Sequence, residues 1–568
     1  MQLGNFREKQ HWFYRVIRKV FNYIPSSFIT EESSWQWLRF YPAIVPVQYC
    51  FNEWNQAINN KYYLNYQKWI DQNSLTTLED WRLLQQKAYH WKSPPKISIV
   101  TPVHNTEIEV LYECIISIRA QAYPYWQLIL VDDGSSNIDT LDLLKSGACN
   151  DPRIQVYFSG KSQGISGATN QAIEKSRGDY VLFLDHDDRL ALDALYRVAD
   201  EIRNYPEVDI VYSDRDMISP EGKRYMYLFK PCWSPETLLA GNYIFHLMCY
   251  RRSLVNQLGG LRTEFDGSQD YDLILRAAET EPQVRHIQTV LYHWRQHHSS
   301  VALDSGAKDY AFTAGVKALN VAMQRRGIAG EAVEIESLWR GNYRLDLVAP
   351  DATEIEVLNI DTEFPVENYT QYINQSIAAT EKPYIAIISQ ALAPVNENIM
   401  GQLAAWLKIE GVAIASGSII TEYQLIDYAG ATYHKDGGLI VPYQGWPISE
   451  PGYMAVTKLT RNISAPHPFC VIIRREVWQQ LGGLNAHYQG VYSLLDFSLR
   501  ALAADWRCVS VPQAQFISRQ PDLLAHYTEQ DKQLFHKSWQ DWLEKGDPYY
   551  NSNLTRDSQD KVYQLPGK

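Results

Sequence analysis

Three acidic groups in the first half of the chain combine the residue types and the setting that chemistry needs. Asp132-Asp133-Gly134-Ser135 follows one apolar run, Asp185-His186-Asp187-Asp188 follows another, and Ser268-Gln269-Asp270-Tyr271-Asp272-Leu273 opens a helical pattern. A D-x-D at a strand end sets two carboxylates within reach of one hard cation such as Mg²⁺ or Mn²⁺, which takes oxygen ligands and shares its shell with phosphates. Such an ion serves as a Lewis acid on a diphosphate leaving group. An isolated D-x-D is equally a turn or a helix N-cap. Here Asp185, Asp187 and Asp188 close the uninterrupted apolar run Val181–Leu184, and carboxylates crowded at the end of a buried strand repel one another unless a cation offsets them. Spacing leaves Asp270 with two readings: a general base that deprotonates a hydroxyl nucleophile, or a first-turn acid of a helix together with Asp272. Of His286, His293, His297 and His298, His297 is the candidate further metal ligand, whereas His293, amid Tyr292, Trp294 and Arg295, has the setting of a packed residue.

These residues need a frame, and the pattern from Ile97 onward supplies one. Short apolar runs at Ile97–Val100, Gln127–Val131, Arg153–Phe158, Tyr180–Leu184 and Asp209–Tyr212 alternate with helical patterns at Ile108–Gln121 and Ser166–Lys175. Alternation of this kind predicts an α/β fold with a doubly wound, mostly parallel sheet. The polar clusters fall just after the carboxyl ends of the strands, where open α/β sheets bind ligands. The sequence holds no G-x-x-x-x-G-K-[ST], no G-x-G-x-x-G after the first strand and no H-E-x-x-H, which sets aside the chemistries those motifs serve. A nucleotidylyltransferase would need a Gly-rich basic loop where this chain has Thr101-Pro102-Val103-His104-Asn105.

At 568 residues the chain exceeds one compact core, and three or four domains are expected. With 45% hydrophobic and 21% charged residues it is an ordered protein. Its 53 Lys and Arg against 65 Asp and Glu give a net charge of −12, which argues against a general nucleic-acid binder. Its seven cysteines form no C-x-x-C pair and are scattered, so reduced core thiols in a cytoplasmic protein are expected. No apolar run reaches the ~18 residues of a membrane span, and no signal-peptide stretch is read at the start. The segment Trp12–Ile24 is amphipathic and ends at Pro25, with Arg15, Arg18 and Lys19 on its polar side. It reads either as a peripheral helix on an anionic inner-membrane surface or as a helix packed on the protein.

Part of the chain repeats. Asn170-Gln171-Ala172-Ile173 before Asp179–Leu184 aligns with Asn374-Gln375-Ser376-Ile377 before Pro383–Ile388. Arg251-Arg252 before Leu258-Gly259-Gly260-Leu261 aligns with Arg474-Arg475 before Leu481-Gly482-Gly483-Leu484, and Asp272–Arg276 with Asp496–Arg500. The order is kept, so a duplicated domain is expected. The second copy has Ser389-Gln390-Ala391 opposite Asp185-His186-Asp187 and Leu494 opposite Asp270. The stretch before Ile355 is too short for a first strand, nucleotide loop and second strand together, so this copy is expected to be degenerate. It would bind acceptor, support the active domain or be a structural relic.

Ile97–Asn105, Val131–Ser135, Leu184–Asp188 and Gly267–Leu273, in this order, resemble the family 2 glycosyltransferases of the GT-A fold. More narrowly the chain is similar to tandem-domain bacterial enzymes of O-antigen, rhamnan and other surface-polysaccharide synthesis. That resemblance implies an inverting transfer from a nucleotide-sugar donor, with Mn²⁺ or Mg²⁺, to a hydroxyl of a growing, lipid-linked glycan. It implies that Thr101, Pro102 and Asp133 hold the nucleotide, that Asp185 and Asp187 hold metal and diphosphate, that Asp270 is the base, and that His297 is a further ligand. The expected organisation is a helical region at 1–95, a catalytic domain at 96–330, a degenerate copy at 345–520 and a C-terminal tail at 521–568. His104, Ser162 and Arg215 depart from the family pattern and bear on donor choice. The competing expectation is a glycan-binding scaffold without turnover, which the retention of Asp185, Asp187 and Asp270 opposes.

Overall fold

The computed structural model describes residues 64–146, 151–220, 222–296, 309–361, 366–519, 523–525, 527–556 and 562–566. The basic segment Trp12–Ile24 therefore lies outside the described residues, as does His297. No helix among the described residues is long and apolar enough to cross a membrane.

The first sheet is built from nine strands. β1 (Ile97–Val103), β2 (Trp126–Asp132), β3 (Ile154–Phe158) and β4 (Tyr180–Phe183) run parallel in the order β3-β2-β1-β4. Helices Ile108–Arg119, Ile138–Lys145 and Gly164–Lys175 connect them. Covered on both faces, β1 and β2 carry the near-continuous apolar runs of buried parallel strands. β5 (Arg189–Leu190), β6 (Ile210–Ile218), β7 (Arg224–Leu228), β8 (Met248–Arg251) and β9 (Val284–Arg295) extend the sheet as β4-β8-β6-β9-β5, with β7 on β6. β8 is antiparallel to β4 and β6, and β9 is parallel to β6. The sheet is thus parallel-rich and mixed.

The expected strand Asp209–Tyr212 is longer than its apolar run. β6 continues through Ser213-Asp214-Arg215-Asp216 to Ile218 with every residue buried. It can do so because each acid finds partners. Asp214 accepts from the Lys230 backbone N–H at 2.9 Å, and His286 Nε2 lies 2.8 Å away. Asp216 lies 2.6 Å from both His293 Nδ1 and Arg224 Nε. Buried charge is tolerated only when paired in this way. His293 is packed, as its aromatic setting predicts.

After the hairpin β10 (Gly330–Glu334) and β11 (Tyr343–Leu347) comes a second sheet. Its strands are β12 (Ile355–Ile360), β13 (Tyr384–Ser389), β14 (Leu392–Pro394), β15 (Val412–Thr421), β16 (Ile426–Tyr428), β19 (Arg461–Ile463), β20 (Cys470–Arg474) and β21 (Arg507–Ser518); β17 (Thr432–Tyr433) and β18 (Leu439–Ile440) form a separate hairpin. The order β12-β13-β20-β15-β21-β14, with β16 on β15, reproduces β1-β4-β8-β6-β9-β5, with β7 on β6, and each pairing keeps its sense. The second copy does possess the first strand, as β12. Among the described residues it has no counterparts of β2 and β3, and one helix, Val366–Ala378, precedes β13.

The repeated residues are the structural staples of both copies. Asn170 brackets the Leu261 backbone, accepting from its N–H and donating to its carbonyl, each at 2.8 Å; Asn374 does the same to Leu484 at 2.9 Å. Gly260 and Gly483 have positive φ, and a Cβ on either would lie 2.5 and 2.7 Å from the Asn170 and Asn374 Oδ1 atoms, so only glycine fits. Arg276 pairs with Asp272 and donates to the carbonyls of Leu258 and Gly260; Arg500 pairs with Asp496 and donates to those of Leu481 and Gly483.

The two sheets share one continuous hydrophobic core and a buried polar joint. Glu236 is inaccessible; it receives three hydrogen bonds of 2.9–3.0 Å from Arg507 and one of 2.6 Å from Asn462. Truncating it strands a largely buried guanidinium. Glu236→Ala is expected to destabilise by about 2–3 kcal/mol, measured by urea unfolding; a loss under ~0.5 kcal/mol would show that the joint contributes nothing. After helices Glu529–Ser538 and Gln540–Lys545 the chain returns to the first sheet. There Asn551 donates to both Asp214 oxygens at 3.0 and 3.2 Å and to the Lys230 carbonyl at 2.9 Å.

Candidate active site

The site lies at the carboxyl ends of β1, β2 and β4. On the β1–β2 side two loops are knitted together. Asn105, with φ of 47°, accepts from the Ser136 and Asn137 N–H groups at 2.8 and 2.9 Å and donates its own N–H to Ser135 Oγ. Asp133 accepts from Ser162 Oγ and the Gln163 and Gly164 N–H groups, at 2.7, 2.7 and 3.0 Å. Its carboxylate thereby ties the end of β2 to the start of helix Gly164–Lys175, and Ser162 is one of the residues that does the tying. Gly134 is forced by the same closeness: a Cβ there would meet the Ser162 backbone nitrogen at 2.8 Å. Thr101 is fully buried and its hydroxyl has no partner, while Pro102 is half-buried at the end of β1. Of the three residues expected to hold a nucleotide, Asp133 shapes the loop and Thr101 presents no exposed hydroxyl.

At the end of β4 the carboxylates take unequal places. Asp185 is 42% exposed. Asp188 is wholly buried, accepting from Tyr292 O–H at 2.5 Å and the Arg295 N–H at 2.7 Å. Burial, with the charges of Asp187 and Asp185, pushes the Asp188 carboxyl well above its ordinary range. Arg295 also donates to the Asp187 carbonyl at 2.8 Å and pairs with Glu113. A residue that the sequence reading missed completes the group. His246, stacked on Tyr292 at 4.7 Å, sets Nε2 3.7 Å from Asp185 Oδ2. Donor atoms of Asp185, Asp188 and His246 all lie within 4.8 Å of one another. Two carboxylates and an imidazole in that compass suit a divalent cation. Burial, reinforced by Arg215 and Lys230, lowers the imidazolium of His246 to about 3, which leaves the ring neutral, the form that ligates. Asp187, expected beside Asp185, stands next to this group as one of the charges acting on Asp188.

Asp270 is the second residue of helix Gln269–Ala278. It accepts from Asn242 Nδ2 at 3.0 Å and from the Tyr271 N–H at 2.8 Å. Burial raises its carboxyl above the ordinary value against the pull of these bonds. Asn242 and His246 belong to one loop. The four Cα steps between them span at most ~14 Å, so a single loop touches both Asp270 and the carboxylates after β4. Lys230 pins that loop: its inaccessible Nζ donates to the carbonyls of Ser213, Ile244, Phe245 and His246 at 2.5–3.2 Å. In the second sheet the matching positions carry no such chemistry, for Ser389 Oγ accepts from the Ala391 N–H and Leu494 is buried in the core.

The family model for glycosyl transferase family 2 matches residues 98–259. The chain is 29% identical over 548 residues to the uncharacterized protein y4gI of Sinorhizobium fredii (strain NBRC 101917 / NGR234), covering 85% of this chain and 60% of that protein. It is 29% identical over 521 residues to the O-antigen biosynthesis protein RfbC of Myxococcus xanthus, covering 81% and 40%. The chain thus spans 60% or less of the length of these relatives. The crystal structure of S. aureus TarS 1–349 with UDP-GlcNAc aligns at TM-score 0.34 and 18% identity, covering 40% of this chain and 66% of that one. The family-model match takes in the loops after β1 and β2, the carboxylates after β4 and the His246 loop, and stops short of Asp270. Residues 98–259 match the model of glycosyl transferase family 2, and a second copy of most of the sheet they belong to follows in the same chain.

Proposed function

We propose that the first domain is an inverting, metal-dependent glycosyltransferase that moves a sugar from a nucleotide-sugar donor to a hydroxyl of a growing surface glycan. The observation that carries this is the joining, by one loop in a family 2 domain, of the Asp185–Asp188–His246 group to Asp270. The names of relatives in O-antigen and teichuronic acid biosynthesis support the acceptor class. Asp185, Asp188 and His246, with Asp187 adjacent, would hold Mn²⁺ or Mg²⁺, which when bound offsets charge on a diphosphate leaving group. The loops at Thr101–Asn105 and Asp133–Gly164 would receive the nucleotide. Asp270 removes the proton from the acceptor hydroxyl as it attacks, on the face opposite the leaving group, and inversion follows. The second copy would take no part in transfer. A lipid-linked acceptor and peripheral contact through residues 1–24 belong to the same proposal; membrane association unchanged on their removal would dismiss the latter.

The test is thermal shift of the full chain with UDP-, GDP- and dTDP-sugars, with and without Mn²⁺. A donor at ~100 times its Kd should stabilise by about 2.7 kcal/mol. Metal-dependent stabilisation by one donor class is expected; none with any donor counts against the proposal. A pH profile adds a second check. Asp270 must be ionised to act, so kcat falls as pH drops through its raised pKa, above the ordinary ~3.9 of an aspartate. Asn242 favours the charged form, and Asn242→Ala should move this acid limb to still higher pH. A limb that stays in place would remove Asn242 from the mechanism.

A further inference from the structure

Arg215 is 7% exposed, yet its guanidinium makes no hydrogen bond or ion pair among the described residues. Its Nε is sealed from solvent and without a partner. Its guanidinium carbon lies 4.6 Å from the Phe245 centroid and 4.7 Å from that of Trp294, two rings set edge-to-face at 6.3 Å. These rings flank the site: Phe245 precedes His246, and Trp294 lies between Tyr292 and Arg295, which bind Asp188. Asp188 and Asp216 favour its charged state from beyond ion-pair distance, and burial lowers its pKa to about 10, so it is cationic at neutral pH.

A desolvated cation with unused donors is costly. The two cation–π contacts recover about 0.5–2 kcal/mol but leave the N–H fork empty. The fork is planar and matches phosphate oxygens in pairs. Of the other cations here, Lys230 is spent on four carbonyls and Arg295 on the Asp187 carbonyl and Glu113. Resting on the donor-site reading above, we propose that Arg215 is a phosphate-binding residue of that site, donating its N–H groups to the diphosphate of the nucleotide-sugar beside the Asp185–Asp188–His246 group. It is a fixed cation that holds the leaving group independently of the metal.

The test is calorimetric titration of the full chain with inorganic pyrophosphate, once in EDTA and once in excess Mg²⁺. Arg215→Met keeps an apolar stem against the rings and removes the charge; Arg215→Lys keeps the charge and removes the fork. The parent protein should bind pyrophosphate in EDTA, Arg215→Met at least tenfold more weakly, and Arg215→Lys in between, with Mg²⁺ narrowing the differences. Equal affinities in parent and variants overturn the proposal, as does a parent that binds pyrophosphate only with Mg²⁺; in that second case the donor-site reading stands without Arg215. If Arg215→Met does not fold, as judged by circular dichroism and melting, Arg215→Lys decides alone: unchanged binding in EDTA overturns the proposal.

Discussion

Asp270→Asn is expected to lower kcat by roughly 10²–10⁴-fold, the usual worth of a positioned general base, while the affinity for the nucleotide-sugar stays within about twofold. The substitution keeps shape and one acceptor. The amide oxygen can still receive the Asn242 amide or the Tyr271 N–H, which reach Asp270 at 3.0 and 2.8 Å, so the helix start should persist. What disappears is a carboxylate able to take a proton. The split between unchanged donor binding and lost turnover is the signature of an interaction made in the transition state. The acid limb of the pH profile should vanish with it. A variant retaining more than a third of the parent kcat would return Asp270 to its other reading, a first-turn acid of helix Gln269–Ala278.

The sequence made the duplication and the carboxylates readable for different reasons. The duplicated letters were visible because Asn170 and Asn374, Gly260 and Gly483, and the Asp272–Arg276 and Asp496–Arg500 pairs perform the same local stapling in each copy. The carboxylates stood out because polar residues end an apolar run. What stayed hidden depends on distant contacts. His246 sits among Ile244, Phe245, Leu247 and Met248 and looks like core; only the pairing of β4 with β8 brings it to Asp185. β6 could not be followed past Tyr212 because the partners that neutralise Asp214 and Asp216 come from β7, β9 and, 337 residues on, Asn551. The strand retained at Ile355–Ile360 was missed because the loss was assigned to the first strand, nucleotide loop and second strand together, whereas β12 holds the place of β1 and the deletion fell after it.

Asp185→Ala should remove metal-dependent donor binding and cut turnover by about 10²–10⁴-fold. Several kcal/mol of charge stabilisation at the leaving group are at stake, and each 1.36 kcal/mol is tenfold in rate. Asp185 is the clean position to test. It is the exposed member of its group, whereas Asp188 also accepts from Tyr292 and Arg295, so changing Asp188 would disturb β9 as well as the cation. Mn²⁺ affinity, read by electron paramagnetic resonance, should fall in Asp185→Ala and in His246→Ala, with melting temperatures little changed. Asp187→Ala separates the two arrangements of the site. If Asp187 is a direct ligand, as the resemblance implies, it loses Mn²⁺ as completely as Asp185→Ala; if the cation rests on Asp185, Asp188 and His246, it keeps most of its Mn²⁺ affinity and loses rate through the altered charge. A glycan-binding scaffold would bind its ligand equally well in all these variants. Unaltered glycan binding together with no Mn²⁺-dependent turnover in the parent would therefore decide against transfer.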